Sequence, residues 1–171
     1  MSAHTLRIAL LHLAPIPGDI TKNRRLVEKA VNAATWGSFA NSGQICISVE
    51  RLYVEEPIYD EFVKRLTEEV GKLNQGMDDE RYGSEVGAMT FPPQTEIVED
   101  HVEDARRNGA TVLTGGRRLE GEGDWYPPTV IADADHSMSA VQEETFGPTV
   151  AVIKVRDAED AVAKANDSRH G

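Results

Sequence analysis

Short apolar runs alternate with amphipathic stretches of helical period along almost the whole chain, and this alternation constrains the fold more than any other feature. Strands that alternate with helices of about ten to sixteen residues are typical of proteins with a mostly parallel sheet. The sequence therefore predicts an α/β fold with a mostly parallel open sheet and flanking helices. The predicted strands lie in the segments "LRIALLHLAP", "GQICISVERLYV", "ATVLTGG", "YPPTVIAD" and "GPTVAVIKV".

Four helices are predicted between these strands. The first begins after a capping residue, either Asp19 or Thr21, and runs toward Phe39. The third covers roughly residues 94–108, and the last is capped by Asp157. The second begins at a proline that suits a first helical turn. Its predicted apolar stripe consists of Ile58, Phe62, Val63, Leu66, Val70 and Leu73.

Composition excludes several classes of function. The chain has 171 residues and a formal net charge of −11, which argues against nucleic acid or an anionic membrane as a partner. Its longest apolar run is too short to span a bilayer, and no signal peptide is predicted. A single cysteine, five scattered histidines and no CxxC or HExxH motif predict neither a disulfide nor a metal site. We therefore expect a cytoplasmic protein.

The only cysteine, Cys46, lies in "NSGQICIS", where a predicted helix gives way to a strand. A lone cysteine in a protein is often a buried small hydrophobe. A nucleophilic cysteine instead needs an exposed thiolate, helped by nearby amide N–H groups or a helix terminus. Gly43 allows a close approach of backbone to a substrate. Both interpretations of Cys46 stay open from these residues alone.

A second chemical candidate is "QEETFGP", in which two adjacent carboxylates and an aromatic residue precede a glycine-proline turn. A carboxylate there can accept two hydrogen bonds from a ribose diol, and Phe146 can pack on a flat ring. A solvated turn with Phe146 in the core is the alternative. The glycine pair of "TGGRR" indicates a tight turn, since no GxGxxG or GxxxxGK[ST] motif is present.

Taken together, these segments resemble the catalytic domain of the NAD(P)-dependent aldehyde dehydrogenase superfamily, and the wording around the cysteine looks most like its succinate-semialdehyde dehydrogenase branch. The resemblance implies that Cys46 is the nucleophile, that Glu144 binds the nicotinamide ribose, and that Phe146 lies beside the ribose and nicotinamide. Asn166 matches an asparagine near the family's site. The residues expected to line the aldehyde pocket are Ile45, Ile47 and Phe39. The matching segments, in residues 36–171, are "FANSGQICISVERLYV", "GATVLTGG", "YPPTV", "QEETFGPTVAV" and "AVAKANDSRHG".

The resemblance also implies a mechanism, and it shows which catalytic residues of the family have no match in this sequence. The family oxidises an aldehyde through a cysteine thioester, with NAD or NADP as acceptor and a glutamate that activates water. That glutamate lies some thirty residues before the cysteine in the family, and the matching stretch here, "LHLAPIP", contains none. The oxyanion-binding asparagine and the dinucleotide-binding domain would lie further upstream. We therefore expect an incomplete aldehyde dehydrogenase catalytic domain over residues 34–171.

Residues 1–33 carry a different resemblance. They hold five basic and two acidic residues, whereas the remainder holds 13 basic and 27 acidic ones. The stretch "RIALLHLAPIPGDITKNRRLVEKAVNAA" is similar to the opening strand and helix of nitrilase-like carbon–nitrogen hydrolases. The sequence thus predicts a junction near residues 33–36.

Four functions stay open at this level. The chain is an aldehyde dehydrogenase-family enzyme with impaired turnover, a Cys46-dependent esterase-like catalyst, a non-catalytic association module, or a carbon–nitrogen hydrolase remnant. The expected partners are a small-molecule aldehyde and either a second copy or another dehydrogenase subunit. A truncated sheet favours such pairing because it exposes strand edges and apolar surface.

Overall fold

The fold is that of a four-stranded open sheet with helices on both faces. A computed structural model describes residues 19–77 and 83–170. The strand predicted at the start of the chain lies outside the described residues. The strands are β1 (Arg51–Glu55), β2 (Thr111–Val112), β3 (Thr129–Ala132) and β4 (Thr149–Val155). The helices are α1 (Ile20–Phe39), α2 (Glu56–Val70), α3 (Pro92–Arg107), α4 (Ser139–Gln142) and α5 (Ala158–Asn166).

The sheet has the strand order β1-β4-β3-β2. β4 runs parallel to both β1 and β3, whereas β2 is antiparallel to β3 at the edge. The prediction of a mostly parallel sheet is confirmed. β2 is shorter than expected, since only Thr111 and Val112 pair, opposite Ala132 and Ile131. Leu113 still donates its N–H to the carbonyl of Val130, and the chain then turns at Gly115 and Gly116, which have positive φ values.

The central strand, β4, separates two apolar cores. All of its residues except Lys154 are buried, as expected for a strand covered on both faces. One core lies beneath α1 and α2 and includes Val150, Val152, Phe39 and Leu66. The other core lies beneath α3 and α4; it consists of Met89, Val98, Val102, Ala105, Tyr126, Ile131, Ala134, Met138, Ala140, Val141, Ala151 and Ile153.

Two helix starts follow the predicted capping chemistry. The side chain of Asp19 accepts a hydrogen bond of 2.9 Å from the backbone N–H of Lys22, so Asp19 and not Thr21 caps α1. The side chain of Asp157 accepts one of 2.8 Å from the N–H of Asp160 at the start of α5. No helix of the described residues has the length and apolar character needed to cross a bilayer.

The buried face of α2 differs from its predicted stripe at Ile58, and Leu73 of that stripe lies beyond the end of the helix at Val70. Ile58, expected in the core, is 49% exposed, whereas its neighbour Tyr59 is 3% exposed. The Tyr59 hydroxyl donates to the carbonyl of Val152 and accepts from the N–H of Asp133, so the ring enters the core with its polar end satisfied. The prediction favoured Ile58 because it was based on hydrophobicity, which does not show that a tyrosine hydroxyl will find hydrogen-bond partners in the core.

Leu66→Ala is expected to lower the free energy of unfolding by about 2–5 kcal/mol, because Leu66 is fully buried between α2 and the sheet and its loss leaves a cavity. Urea denaturation followed by circular dichroism measures the change. Ile58→Ala on the same helix is the matched control, and we expect a shift well below that of Leu66→Ala. Equal shifts for the two variants would contradict this packing.

Candidate active site

Cys46 lies on an exposed turn at the amino end of β1. The N–H of Ser48 donates to the carbonyl of Ile45 over 3.0 Å, which closes the turn around the cysteine. The thiol is free and the residue is exposed. This placement contradicts the interpretation of Cys46 as a buried core residue and leaves the thiol open to a reactant.

A left-handed turn precedes the cysteine. In the segment Ala40–Gly43, which follows α1, Asn41, Ser42 and Gly43 have φ values of +52°, +57° and +68°. Residues other than glycine rarely adopt this conformation, and such strain persists only where neighbouring contacts enforce it. The sequence analysis missed this turn, although "NSG" contains the residue types that tolerate positive φ.

Side-chain hydrogen bonds hold the Cys46 loop against the segment that leads into α3. The hydroxyl of Ser42 donates to the carbonyl of Gly87 over 3.0 Å. The side-chain oxygen of Gln44 accepts from both the N–H and the hydroxyl of Thr90, over 2.9 and 3.0 Å. The loop that carries the cysteine is therefore fixed on both sides of Gly43.

The two sequence motifs meet at a contact between two glycines. A side chain at Gly43 would overlap the carbonyl oxygen of Gly147, which belongs to the "QEETFGP" turn. Gly147 is equally confined, since a side chain there would overlap Val98 of α3. Two motifs about one hundred residues apart in sequence are thus in backbone contact, and only glycine allows the approach.

A carboxylate that the sequence analysis missed also joins the motifs. Glu50, just before β1, accepts hydrogen bonds from the N–H groups of Thr145 and Phe146 over 3.0 and 2.9 Å. Burial raises the pKa of Glu50, the two N–H groups oppose the rise, and the charge of Glu144 adds to it. Nothing local distinguishes Glu50 from the other acids, because its partners lie 95 and 96 residues away.

The predicted cofactor residues occupy one turn. Glu144 is exposed, and one of its oxygens lies 3.8 Å from Nδ1 of His170. Phe146 is half-buried and has a φ of +46°. The neighbouring Glu143 pairs instead with Arg169, which lowers the pKa of Glu143. Glu144 is therefore the carboxylate of this turn that stays accessible beside the Cys46 loop.

The predicted pocket residues differ in their surroundings. Ile47 is 77% exposed and Ile45 is half-buried, so both lie at the surface on either side of Cys46. Phe39 is 2% exposed and packs in the core beneath α1, so its side chain offers no surface to a ligand, contrary to expectation. The side-chain amide of Asn166 donates to the carbonyl of Val162 within α5.

Comparison with known proteins identifies the family. The sequence profile of the aldehyde dehydrogenase family matches residues 20–171. The chain belongs to the aldehyde dehydrogenase family. Lactaldehyde dehydrogenase of Escherichia coli is 41% identical over 145 residues, which are 85% of this chain and 30% of the relative. Succinate-semialdehyde dehydrogenase [NADP(+)] of the same organism is 36% identical over 147 residues, which are 85% of this chain and 30% of the relative.

Solved aldehyde dehydrogenase structures match the fold over the same region. Lactaldehyde dehydrogenase from Escherichia coli superposes with a TM-score of 0.80 at 41% identity, over 83% of this chain and 30% of that one. Succinate-semialdehyde dehydrogenase from Burkholderia pseudomallei gives a TM-score of 0.79 at 33% identity, over 83% of this chain and 29% of that one. The chain spans about 30% of the length of the relatives that it matches.

The family match begins earlier in the chain than the sequence analysis expected. It includes residues 20–33, which form part of α1 and which the sequence analysis assigned to a nitrilase-like segment. The beginning of that segment lies outside the described residues, so the domain boundary near residue 33 stays a prediction. Within residues 19–77 and 83–170, no group of three or more histidine, cysteine, aspartate or glutamate side chains could hold a metal ion.

Proposed function

We propose that this chain carries the nucleophile-bearing part of an aldehyde dehydrogenase active site, which oxidises an aldehyde to a carboxylic acid with NAD(P) as acceptor. The observation that carries the proposal is the contact of two loops at Gly43 and Gly147. One loop presents the exposed Cys46, and the other presents the accessible carboxylate of Glu144. Hydride transfer requires the nicotinamide to lie beside the cysteine-bound carbon, so a loop that binds the nicotinamide ribose has to lie near the loop of the cysteine.

Cys46 supplies the covalent step. Its sulfur forms a bond to the carbonyl carbon, the C=O π pair moves to oxygen, and the thiol proton is transferred to that oxygen to give a thiohemiacetal. The family resemblance implies that the backbone N–H of Cys46 donates a hydrogen bond to the developing oxyanion. Exposure of the thiol on a tight turn supports this role, because a substrate can reach the sulfur without any rearrangement of the core.

The Glu144–Phe146 turn fits the nicotinamide ribose. The carboxylate of Glu144 is accessible and can accept hydrogen bonds from both hydroxyls of a ribose diol. The ring of Phe146 is half-buried and presents an apolar edge beside that carboxylate. NAD(P), when bound, supplies the acceptor for the hydride of the substrate. The residues of this chain that would hold it are therefore Glu144 and Phe146.

For the substrate, we propose a small aldehyde, with succinic semialdehyde as the first candidate. Ile45 and Ile47 flank Cys46 and offer apolar contact to its chain. The names of the relatives include both succinate-semialdehyde and lactaldehyde dehydrogenases. Both of the aldehydes in these names carry a second, polar group.

Glu144→Gln is expected to weaken the binding of nicotinamide mononucleotide, the ribose-containing half of NAD, by about tenfold or more. The reason is that the substitution replaces a charged acceptor of two hydrogen bonds by a neutral one. Calorimetric or NMR titration of the 171-residue chain measures the affinity. Glu143→Gln is the matched control: this carboxylate pairs with Arg169, and we expect a change below about twofold. Equal losses in both variants would argue against a specific ribose contact.

A second candidate function is association with another subunit. The exposed large apolar side chains of the described residues include Trp36 at 72%, Ile47 at 77% and Phe91 at 58%. β1 also pairs on one side only within the part of the chain that the structure describes. Either a second copy or a dehydrogenase subunit could cover these groups, and sedimentation velocity distinguishes a monomer from such an assembly.

A further inference from the structure

The sheet fixes the backbone of Glu50. The carbonyl of Glu50 accepts a hydrogen bond of 2.9 Å from the N–H of Ala151 in the central strand, and the next residue, Arg51, pairs with Ala151 in the parallel ladder. Because β4 is buried, this contact has little freedom. The backbone of Glu50, four residues after Cys46, is therefore held in a defined position at the start of β1.

The side chain of Glu50 crosses to the turn that precedes β4. One oxygen, Oε1, accepts from the consecutive N–H groups of Thr145 and Phe146 over 3.0 and 2.9 Å. Successive N–H groups of a turn form a small anion-binding concavity, and hydrogen bonds to a carboxylate are roughly twice as strong as neutral ones. The carboxylate thus binds the turn in the way that such a concavity binds an anion.

The bound turn contains strained backbone. Phe146 has a φ of +46°, a region that costs an aromatic residue free energy and persists only when the surroundings enforce it. The N–H of Phe146 is one of the two groups that Glu50 holds. The hydrogen bond therefore stabilises the conformation that sets the directions of the Phe146 ring and of Glu144, two residues earlier.

Glu50 holds this position in spite of an electrostatic cost. Burial raises the pKa of Glu50, and the nearby charge of Glu144 acts in the same direction. The two N–H groups offset part of that cost. A half-buried carboxylate is stabilised by hydrogen bonds such as those that Glu50 accepts from Thr145 and Phe146.

We propose that Glu50 is a positioning residue, which fastens the Glu144–Phe146 turn to the loop of Cys46. The inference rests on the proposed function, since the position of the turn matters to the reaction only if Glu144 and Phe146 hold the nicotinamide ribose. Misplacement of reacting groups by about 1 Å can cost roughly a hundredfold in rate, so a rigid link between the two loops serves the reaction directly.

The test compares four variants of the full chain. Glu50→Gln keeps an oxygen that can accept both N–H groups, Glu50→Asp keeps the charge but is one methylene too short, and Glu50→Ala removes both interactions. Glu55→Ala, at the exposed far end of β1, is the control. The readouts are the amide proton shifts of Thr145 and Phe146 and the affinity for nicotinamide mononucleotide, with circular dichroism to establish folding.

We expect Glu50→Ala and Glu50→Asp to weaken mononucleotide binding by about tenfold or more and to move both amide signals, because neither side chain reaches the two N–H groups that hold the turn. Glu50→Gln is expected to stay within about threefold of the native affinity, since the oxygen contact is kept. Native affinity in a folded Glu50→Asp chain, or equal losses in the Gln and Asp variants, would overturn the inference.

The outcomes separate the inference from the proposed function. A native chain that binds no mononucleotide would overturn the ribose-binding part of the proposed function. In that case the inference is decided by the amide signals, which must move further in the Asp variant, where the contact is lost, than in the Gln variant, where a weaker bond to the oxygen remains. Unmoved signals in the Asp variant would overturn it whatever the binding results.

Discussion

Replacing Cys46 by alanine is expected to abolish formation of a thiohemiacetal with an aldehyde. The chain has one thiol, and it is exposed, so no other side chain can form a thiohemiacetal. Succinic semialdehyde with an isotope label at the aldehyde carbon is the probe. NMR of that carbon should show a protein-bound tetrahedral signal with the native chain and none with Cys46→Ala.

The controls for this experiment separate thiol chemistry from other reactions. Lysine side chains form imines with aldehydes, and these signals should be the same in both proteins. A tetrahedral signal that survives in Cys46→Ala, or its absence from a folded native chain, would contradict the role of Cys46. An activated ester tests the esterase-like alternative in the same way, because hydrolysis that survives the substitution excludes it.

NADH formation in the same samples is expected to be very slow. The family's base glutamate has no counterpart at the expected spacing, and the cofactor contacts identified in this chain are those of one turn. Without activated water a thioester at Cys46 would persist, so at most one turnover should be visible. Sustained NADH release would show that another group takes over the role of the base.

Gly43→Ala is expected to lower the free energy of unfolding by about 3 kcal/mol or more. The added methyl group would overlap the carbonyl oxygen of Gly147, and the residue has a φ of +68° that alanine adopts only with strain. That loss is a large fraction of the stability of an ordinary domain. It also forces the Cys46 loop and the Glu144 turn apart, so binding of nicotinamide mononucleotide should fall in whatever fraction stays folded.

Urea denaturation of Gly43→Ala beside Gly83→Ala measures this effect. Gly83 has no atom near the position of an added methyl group and no positive φ. We expect its substitution to change the stability by less than about 0.5 kcal/mol, as for an open surface site. Similar midpoints for the two variants would mean that the two motifs are not in close backbone contact.

Much of the architecture could be predicted from the sequence because its signals are local. Alternating apolar runs and helical stripes predicted the order of the strands and of the longer helices but not the short α4, and capping residues predicted the starts of α1 and α5. Local patterns could not give the antiparallel direction of β2 or the choice of Tyr59 over Ile58 for the core. Those features depend on which neighbours fill the space around each residue.

Some features of the candidate site could likewise be predicted from the sequence, and others could not. The family resemblance implied roles for Cys46, Glu144 and Phe146, whereas residue types alone left each of them with a structural alternative. Phe39 was expected to line the aldehyde pocket, but its side chain is buried in the core. An apolar side chain fits a core as well as a pocket, so its residue type does not distinguish the two.

The chain's own sequence thus determined its fold class, its family and the chemical groups available to it, because each of these is encoded by residue types over short spans. Only the tertiary structure decided that the cysteine loop and the turn of Glu144 and Phe146 meet at Gly43 and Gly147 and that Glu50 joins them. The physical reason is that these contacts connect residues about one hundred positions apart, which only the pairing of β1 with β4 brings together.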